Sequence, residues 1–319
     1  MKLLFIAPNF YGYEIDILNE LKKRYEEVCY LNELPLGTTV FTNLLHLFPK
    51  QISKTVYKIY NNKIKRLVLT KKFDVIFIIK GTVLSEELLT TMKHMPNKPF
   101  IINYQWDSLN NNPNANLISK YADKNYTFDF KDTKRGDYTY IPLFYTWNKP
   151  DSSILKYKKR GFFFLGGFHR LRYEIILNFI SICRNALIPF NFFIYINRLV
   201  YYRHKYFLND TIERENVTFN KMSRKEYAQS LKCSIAVLDI QNPQQTGLTI
   251  RTIEALSMGC KIVTTNYNIR STELYSPNNV LVWDGHSDLE LSSFLSLPFD
   301  TKVWNRLYTV KTWLDKLGV

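Results

Sequence analysis

Cysteine is scarce in this 319-residue chain, and Cys29, Cys183, Cys233 and Cys260 are scattered with no C-x-x-C. That spacing speaks against a disulfide framework or a thiolate metal site. It fits buried free thiols in a reducing cytoplasm. No hydrophobic run approaches the roughly 18 residues of a membrane span. Met1–Ala7 is too short for a signal peptide, meets Pro8-Asn9 at once, and reads as a first buried strand. G-x-G-x-x-G is missing, so a dinucleotide fingerprint is not supported. There is no Asp-x-Asp and no His/Cys ligand spacing, so no metal and no cofactor are expected. Internal repeats and low-complexity tracts are also missing.

Acidic residues are short as well. Against 28 Asp and Glu stand 43 Lys and Arg, a formal charge of +15. Such a balance suits anionic partners: nucleic acid, an anionic membrane surface or an anionic substrate. The 46% hydrophobic content is ample for two cores, and the length suggests two domains of about 150 residues.

The chain opens as a βαβ unit. Leu3–Ala7 is a strand, residues 8–13 a loop, Glu14–Arg24 a helix and Glu27–Leu31 a second strand. Ligands of such sheets bind beyond the strands' C-terminal ends. Asn9, Tyr11, Gly12 and Tyr13 therefore form a candidate cleft wall, or an ordinary βα turn. Residues 41–72 carry Lys50, Lys54, Lys58, Lys65 and further cations, with no acid. Helical spacing puts Ile52, Val56, Ile59, Tyr60 and Leu67 on one face and those lysines on the other. The basic face is either simply solvated or a contact with anionic lipid headgroups.

Asp74–Ile79 and Phe100–Gln105 read as buried strands, with Ser85 capping a helix between them. The second strand runs into Trp106-Asp107-Ser108. A carboxylate just past a buried strand end is a candidate catalytic base, or alternatively the cap of a turn. Residues 125–130 and 138–144 read as the last strands of the first half, and 145–153 as a linker.

A second strand–turn–helix unit starts at Gly161 and passes through Gly166-Gly167-Phe168-His169-Arg170, with Arg172 beyond. Glycines let the backbone approach a ligand, helix N–H groups point outward, and guanidinium groups add charge. Together these are phosphate-binding chemistry. His169 reads as an orienting or structural residue. Residues 198–208 interleave cations with aromatics and read as a solvated helix face. Ser223 and Glu226 have capping-box spacing.

The densest signal is residues 244–266. Thr246-Gly247 opens a loop, and Thr249 or Thr252 caps a helix with Ile250, Ile253 and Leu256 on one face. Gly259 ends that helix, and residues 261–265 form a buried strand. Arg251 near a helix N-terminus opposes the helix dipole, so an anion is expected between it and the free N–H groups. Glu254 lies on the same side one turn on and could take two sugar hydroxyls. Residues 300–317 read as a final helix.

The Glu254–Ala255 helix, Gly259 and the following strand resemble the nucleotide-sugar-binding region of GT-B glycosyltransferases, with Thr246 where many of them carry an earlier glutamate. Arg251-x-x-Glu254, Trp106-Asp107-Ser108 and Pro142-Leu-Phe-Tyr145 are similar to segments of bacterial surface-polysaccharide glycosyltransferases. The resemblance implies an α/β fold of two facing, doubly wound, Rossmann-like domains, residues 1–148 and 149–319, with the last helix crossing back to the first. The second domain would hold a nucleotide-sugar through Gly166, Gly167, His169, Arg170, Arg172, Gly247, Leu248, Thr249, Arg251 and Glu254. The first would hold a glycan or lipid-linked acceptor through Asn9, Tyr11, Gly12, Tyr13 and Trp106, with Asp107 or Asp16 as base. The implied setting is lipopolysaccharide or capsule synthesis at the cytoplasmic face of a bacterial inner membrane. The alternatives are a nucleotide-sugar epimerase of the same fold and a basic nucleic-acid-binding protein.

Overall fold

The computed structural model describes residues 1–35, 50–148, 150–156, 160–208 and 211–319. It forms two compact units. The first contains Met1–Thr146, Pro243–Gly247 and Tyr308–Val319; the second contains Trp147–Asn242 and Leu248–Leu307.

In the first unit the strands are β1 (Lys2–Ala7), β2 (Glu27–Asn32), β3 (Val75–Ile79), β4 (Phe100–Gln105), β5 (Lys124–Thr127) and β6 (Thr139–Tyr140). They make one parallel sheet in the order β2-β1-β3-β4-β5-β6. Its helices are α1 (Tyr13–Leu21), α2 (Lys50–Lys71), α3 (Glu86–Lys93) and α4 (Ala115–Ser119). All of Val-Ile-Phe-Ile-Ile in β3 is buried, as an apolar run in a two-sided sheet requires. Ser85 caps α3 by accepting from Leu88 N–H, as its position suggested.

The expected single strand over 138–144 is two pieces. Thr139–Tyr140 joins the sheet, while β7 (Phe144–Tyr145) pairs separately with a strand from residues 308–309. The first part of the basic stretch, residues 41–49, lies outside the described residues. Along α2 the buried face is Asn61, Ile64 and Val68, with Tyr60 and Leu67 half-buried, whereas Ile52 and Ile59 are exposed. Buried Asn61 explains the rotation. Its amide donates to Tyr57 O and Val83 O and accepts from Ser85 N–H, tying α2 to the start of α3.

The second unit repeats the plan with β8 (Phe162–Gly167), β9 (Phe190–Tyr195), β10 (Ala236–Asp239), β11 (Lys261–Thr264) and β12 (Val280–Val282), all parallel in the order β12-β11-β10-β8-β9. Its helices are α5 (Arg170–Asn185), α6 (Arg198–Phe207), α7 (Arg224–Cys233), α8 (Ile250–Ser257) and α9 (Leu291–Ser296). Ser223 and Glu226 form the full reciprocal capping box of α7. Thr249 caps α8 by accepting from Thr252 N–H, and Gly259 follows at φ 64, a conformation glycine adopts without penalty. Gly161 has a stricter reason to lack a side chain: a Cβ there would lie 2.0 Å from Pro189 O. Of the cysteines, Cys183 and Cys260 are buried and Cys29 is half-buried. Cys233 is exposed at the end of α7, so the expectation of burial fails there.

Residues 300–317 are not one helix. Thr301–Arg306 is a 3-10 turn, β13 (Tyr308–Thr309) pairs with β7, and α10 (Val310–Leu317) starts afresh with Thr309 as its cap. The reason is tertiary. Trp313 is fully buried in the first unit, 4.9 Å from the Tyr104 ring and 4.5 Å from Phe144. Arg24 pairs with Asp315 at 2.9 Å.

One buried cation has a pH consequence. Lys261 opens β11 with its ammonium donating to Phe294 O at 2.5 Å and lying over the Phe294 ring. Burial pushes its pKa down to about 8. The folded state therefore binds fewer protons than the unfolded state between about 8 and the ordinary lysine value, and stability rises with pH through that window. Lys261→Met is expected to stabilise the protein at neutral pH by on the order of 1 kcal/mol. Denaturant melts should show that gain shrinking as pH climbs above about 8; a constant gap would mean that Lys261 titrates normally.

Candidate functional site

Both sheets have the strand order of a doubly wound fold whose connections reverse direction at one point. In the first unit that point lies between β1 and β3; in the second it lies between β8 and β10. Loops leaving the two strands diverge there and open a crevice at their C-terminal ends, where ligands of this architecture bind. Each unit carries a cluster of polar chemistry at that place.

In the second unit the centre is Asp239, the last residue of β10 and 0% exposed. Its carboxylate accepts from Arg251 Nη1 at 2.7 Å, Thr249 Oγ1 at 2.9 Å, Thr252 Oγ1 at 2.9 Å and Thr264 Oγ1 at 3.3 Å. Arg251 thus finds a buried anion of the protein itself at the start of α8, and its guanidinium also covers the Phe164 ring. Asp239 is a residue that sequence reasoning passed over as a strand end. The available signal was a carboxylate closing a fully apolar strand, since such a group must be paired.

Beside this pair sits Arg172, from the first turn of α5. Its Nη1 donates to Gly167 O at 3.0 Å, while its Nε is buried with no partner among the described residues. Burial lowers its pKa, and the nearby Arg251 charge lowers it further, against a smaller opposing effect of Asp239. Among the described residues Asp239 is ion-paired with Arg251 alone, and Arg172 adds a second guanidinium close enough to feel both charges, so the cluster carries excess positive charge. It lies where the N-terminus of α5, a 16-residue helix with no acid in its first turn, adds its own positive end. A Cβ at Gly167 would meet nothing within 4 Å, so the backbone there is open. At Gly166 a Cβ would press on Phe164, 2.7 Å away. His169 is the N-cap residue of α5 but its side chain makes no capping bond, and Arg170 is exposed and pairs with Glu174 at 3.4 Å.

Glu254 lies on α8 and is only 1% exposed. A ribose contact there requires the carboxylate to open to the ligand. The helix itself is firmly held: Trp147 Nε1 donates to Ser257 Oγ at 2.8 Å and Trp304 Nε1 to Leu256 O at 2.9 Å. Gly247 and Thr246 are placed elsewhere, in the first unit. Asp129 accepts from Thr246 N–H at 2.7 Å, from the Thr246 hydroxyl and from Gly247 N–H at 3.4 Å. A Cβ on Gly247 would lie 2.2 Å from Phe128 O, so this glycine serves close packing. Leu248, the next residue, is buried in the second unit.

In the first unit the structure gathers Trp106, Tyr11 and Tyr13 around Phe10, with ring centroids 5.3, 4.8 and 6.1 Å from it. Phe10 was not singled out from the sequence. Its amide donates to the buried Glu14 carboxylate at 3.0 Å, which sets the loop. Tyr11 is exposed at φ 52 and Gly12 follows at φ 84, so the turn passes twice through the left-handed region. Asn9 is exposed, whereas Tyr13 is buried edge-on to Phe144 and belongs to the core.

Asp107 does not cap the turn; Ser108 does. Asp107 pairs instead with Lys80 Nζ at 2.8 Å and accepts from Gln245 Nε2 at 3.3 Å. Lys80 follows β3 at φ 70. Burial alone would depress its ammonium, but the Asp107 ion pair and the charge of Glu33 outweigh it and leave the pKa raised. Glu33 is buried, accepts from Thr82 N–H at 2.8 Å, and is pushed up by desolvation. Two acids therefore flank one lysine at this sheet's switch point, and neither Lys80 nor Glu33 was anticipated. Asp16 stands apart from that trio in sequence, half-buried on α1.

Two Rossmann-like units in one chain, each with a polar cluster at its switch point, define the GT-B class of fold. The solved structures similar to this chain belong to that class. The lipopolysaccharide outer core galactosyltransferase WaaB matches at TM-score 0.56 and 13% identity, over 99% of this chain and 98% of that one. OtsA matches at TM-score 0.61 and 11% identity, over 99% and 98%. The UDP-GlcNAc 2-epimerase from Neisseria meningitidis, bound to UDP-GlcNAc, matches at TM-score 0.57 and 12% identity, over 100% and 98%. At these identities the likeness is one of fold. No family model matches the sequence, and no curated protein matches it.

Proposed function

We propose that this protein uses a nucleotide-sugar and transfers its sugar to a glycan or lipid-linked glycan. The observation that carries the reading is the excess of positive charge at the second unit's switch point, where Arg172 lies near the Arg251–Asp239 ion pair with no carboxylate bonded to it among the described residues. A diphosphate is the ligand that such a cluster beside a helix N-terminus holds best, and the same charges would stabilise a departing nucleoside diphosphate. Arg170, His169, Gly166 and Gly167 line the approach, Thr249 fixes the start of α8, and Glu254 takes the ribose. WaaB and OtsA share the fold with this chain.

The 2-epimerases among the similar structures favour a second reading, a nucleotide-sugar epimerase. Transfer is preferred because the first unit offers its own sugar-sized platform. Phe10, Tyr11 and Trp106 present aromatic surface beside the Asp107 carboxylate, which would orient an acceptor hydroxyl or take its proton. The surface-polysaccharide setting, cytoplasmic and peripheral to the membrane, belongs to this proposal. Among the described residues no helix is long and apolar enough to cross a membrane. Lys54 and Lys58 of α2 are exposed and would attract anionic headgroups, while Lys65 is engaged by Glu87 at 2.7 Å.

The test is thermal stabilisation by a panel of nucleotides and nucleotide-sugars. A ligand at a hundredfold its dissociation constant should add about 2.7 kcal/mol. Glu254→Gln, which keeps the buried shape, should reduce the shift from the preferred nucleoside diphosphate; an undiminished shift removes Glu254 from the site. Release of free nucleoside diphosphate only with an added glycan acceptor would separate transfer from epimerisation.

A further inference from the structure

A surface helix of a globular protein normally turns its apolar stripe inward, and α6 does the reverse. Of its residues only Tyr201 is buried, with His204 half-buried against the Phe168 ring. Leu199, Tyr202, Arg203, Tyr206 and Phe207 fall at i, i+3, i+4, i+7 and i+8, one continuous stripe, and that stripe points outward. Leu199 is 81% exposed and Phe207 83%. The helix is well formed in spite of this, because Asn197 caps it by accepting from Leu199 N–H at 2.9 Å. The solvated face expected over 198–208 is present, and it carries large apolar side chains as well as cations.

Cations surround the stripe. Arg198, Arg203 and Lys205 lie in the helix, which contains no acid. Next to it Arg198 and Arg214 stack on the Phe219 ring at 5.3 and 4.3 Å, and Lys221 lies 5.6 Å from the Tyr195 ring centroid. Aliphatic and aromatic side chains in a row, flanked by Arg and Lys, are the composition of a helix lying in a bilayer interface. We propose that α6 is a membrane-surface helix: it lies in the headgroup region of an anionic bilayer, with Leu199, Tyr206 and Phe207 inserted and the flanking cations on the lipid phosphates.

Charge argues against a second copy, and side-chain type against nucleic acid. In a two-fold pairing of α6 with itself, helices bearing cations and no acid would meet, and like charges would oppose. Single-stranded nucleic acid would stack its bases on aromatic faces, whereas the stripe opens with Leu199, which is 81% exposed and offers a base nothing. This surface is distinct from the lysines of α2, and the inference stands or falls independently of the nucleotide-sugar reading.

The experiment is sedimentation of the full chain with vesicles of mixed phosphatidylglycerol and phosphatidylcholine, and of phosphatidylcholine alone, at low and high salt. The wild type should bind the anionic vesicles. Leu199→Gln combined with Phe207→Gln should lower partitioning at least about tenfold at both salt levels. Lys54→Gln with Lys58→Gln should lower it at low salt only. Because the α6 side chains are exposed, the double variant should keep the wild-type melting temperature and nucleotide stabilisation. Unchanged vesicle binding by that variant overturns the proposal, as does wild-type protein that ignores anionic vesicles. A lipid-free dimer that the variant abolishes would assign the stripe to a second copy, and oligonucleotide binding lost in the variant would assign it to nucleic acid; either result overturns it too.

Discussion

Replacing Asp239 with alanine is expected to cost about 3–5 kcal/mol, because it strands a guanidinium and three hydroxyls around a buried gap. Asp239 is the group on which β10, β11 and α8 converge. Arg251, Thr249 and Thr252 reach it from the helix and Thr264 from the neighbouring strand. Removing it also takes away the anion paired with Arg251 and leaves the like charges of Arg251 and Arg172 uncompensated. The loss should appear in the second unit, so calorimetry must resolve the two units rather than fit one transition. Asp239→Asn keeps a hydrogen-bonding group of the same shape and loses only the charge, so it should fall between wild type and alanine. A loss below about 1 kcal/mol for alanine would mean that the threonines alone hold the start of α8.

Arg172→Met should act with the opposite sign on stability and a large effect on binding. The arginine is half-buried, its buried Nε has no partner among the described residues, and it sits near a like charge. An apolar chain of similar length removes those costs, so the melting temperature should hold or rise. Affinity for a nucleoside diphosphate should fall at least about tenfold, or about 1.4 kcal/mol. A protein that becomes more stable as it loses its ligand is one that holds charge in reserve for that ligand. If calorimetric titration shows unaltered affinity, the anion is held elsewhere.

Most of the architecture was legible in the sequence because local signals agreed with the fold. The apolar run of β3, Ser85 before α3, Ser223 with Glu226, Thr249 before α8 and Gly259 after it each act within a few residues, and each is where its chemistry puts it. The failures are cases where a distant partner decides. Val303, Leu307, Val310, Leu314 and Leu317 keep helical spacing, yet Tyr308–Thr309 pairs with Phe144–Tyr145 and interrupts it; the local clue was Thr309 as a cap. On α2 the apolar count alone misplaced the buried face, since buried Asn61 anchors it.

The candidate sites were legible in part for the same reason. Gly166, Gly167, Arg172 and Arg251 stand out in sequence as glycines and cations at strand–helix junctions. Asp239, Lys80, Glu33 and Phe10 do not, because each acquires meaning only from a side chain brought in by another strand or loop. Arg251 shows the limit most clearly: its place at a helix N-terminus was noticed, but the anion that justifies it is Asp239, twelve residues earlier and one strand away.

The placement of residues 308–319 bears on how the protein is made. Trp313 fills the core of the first unit, and Arg24 is held by the Lys311 carbonyl and the Asp315 carboxylate. During synthesis the first unit emerges early but lacks its largest buried side chain until residues 308–319 follow the last segment of the second unit. The second unit, whose segments end at Leu307, can close first. The order of completion on the ribosome is thus the reverse of the order of emergence, and the first unit has a long interval in which its exposed core must be kept from aggregating.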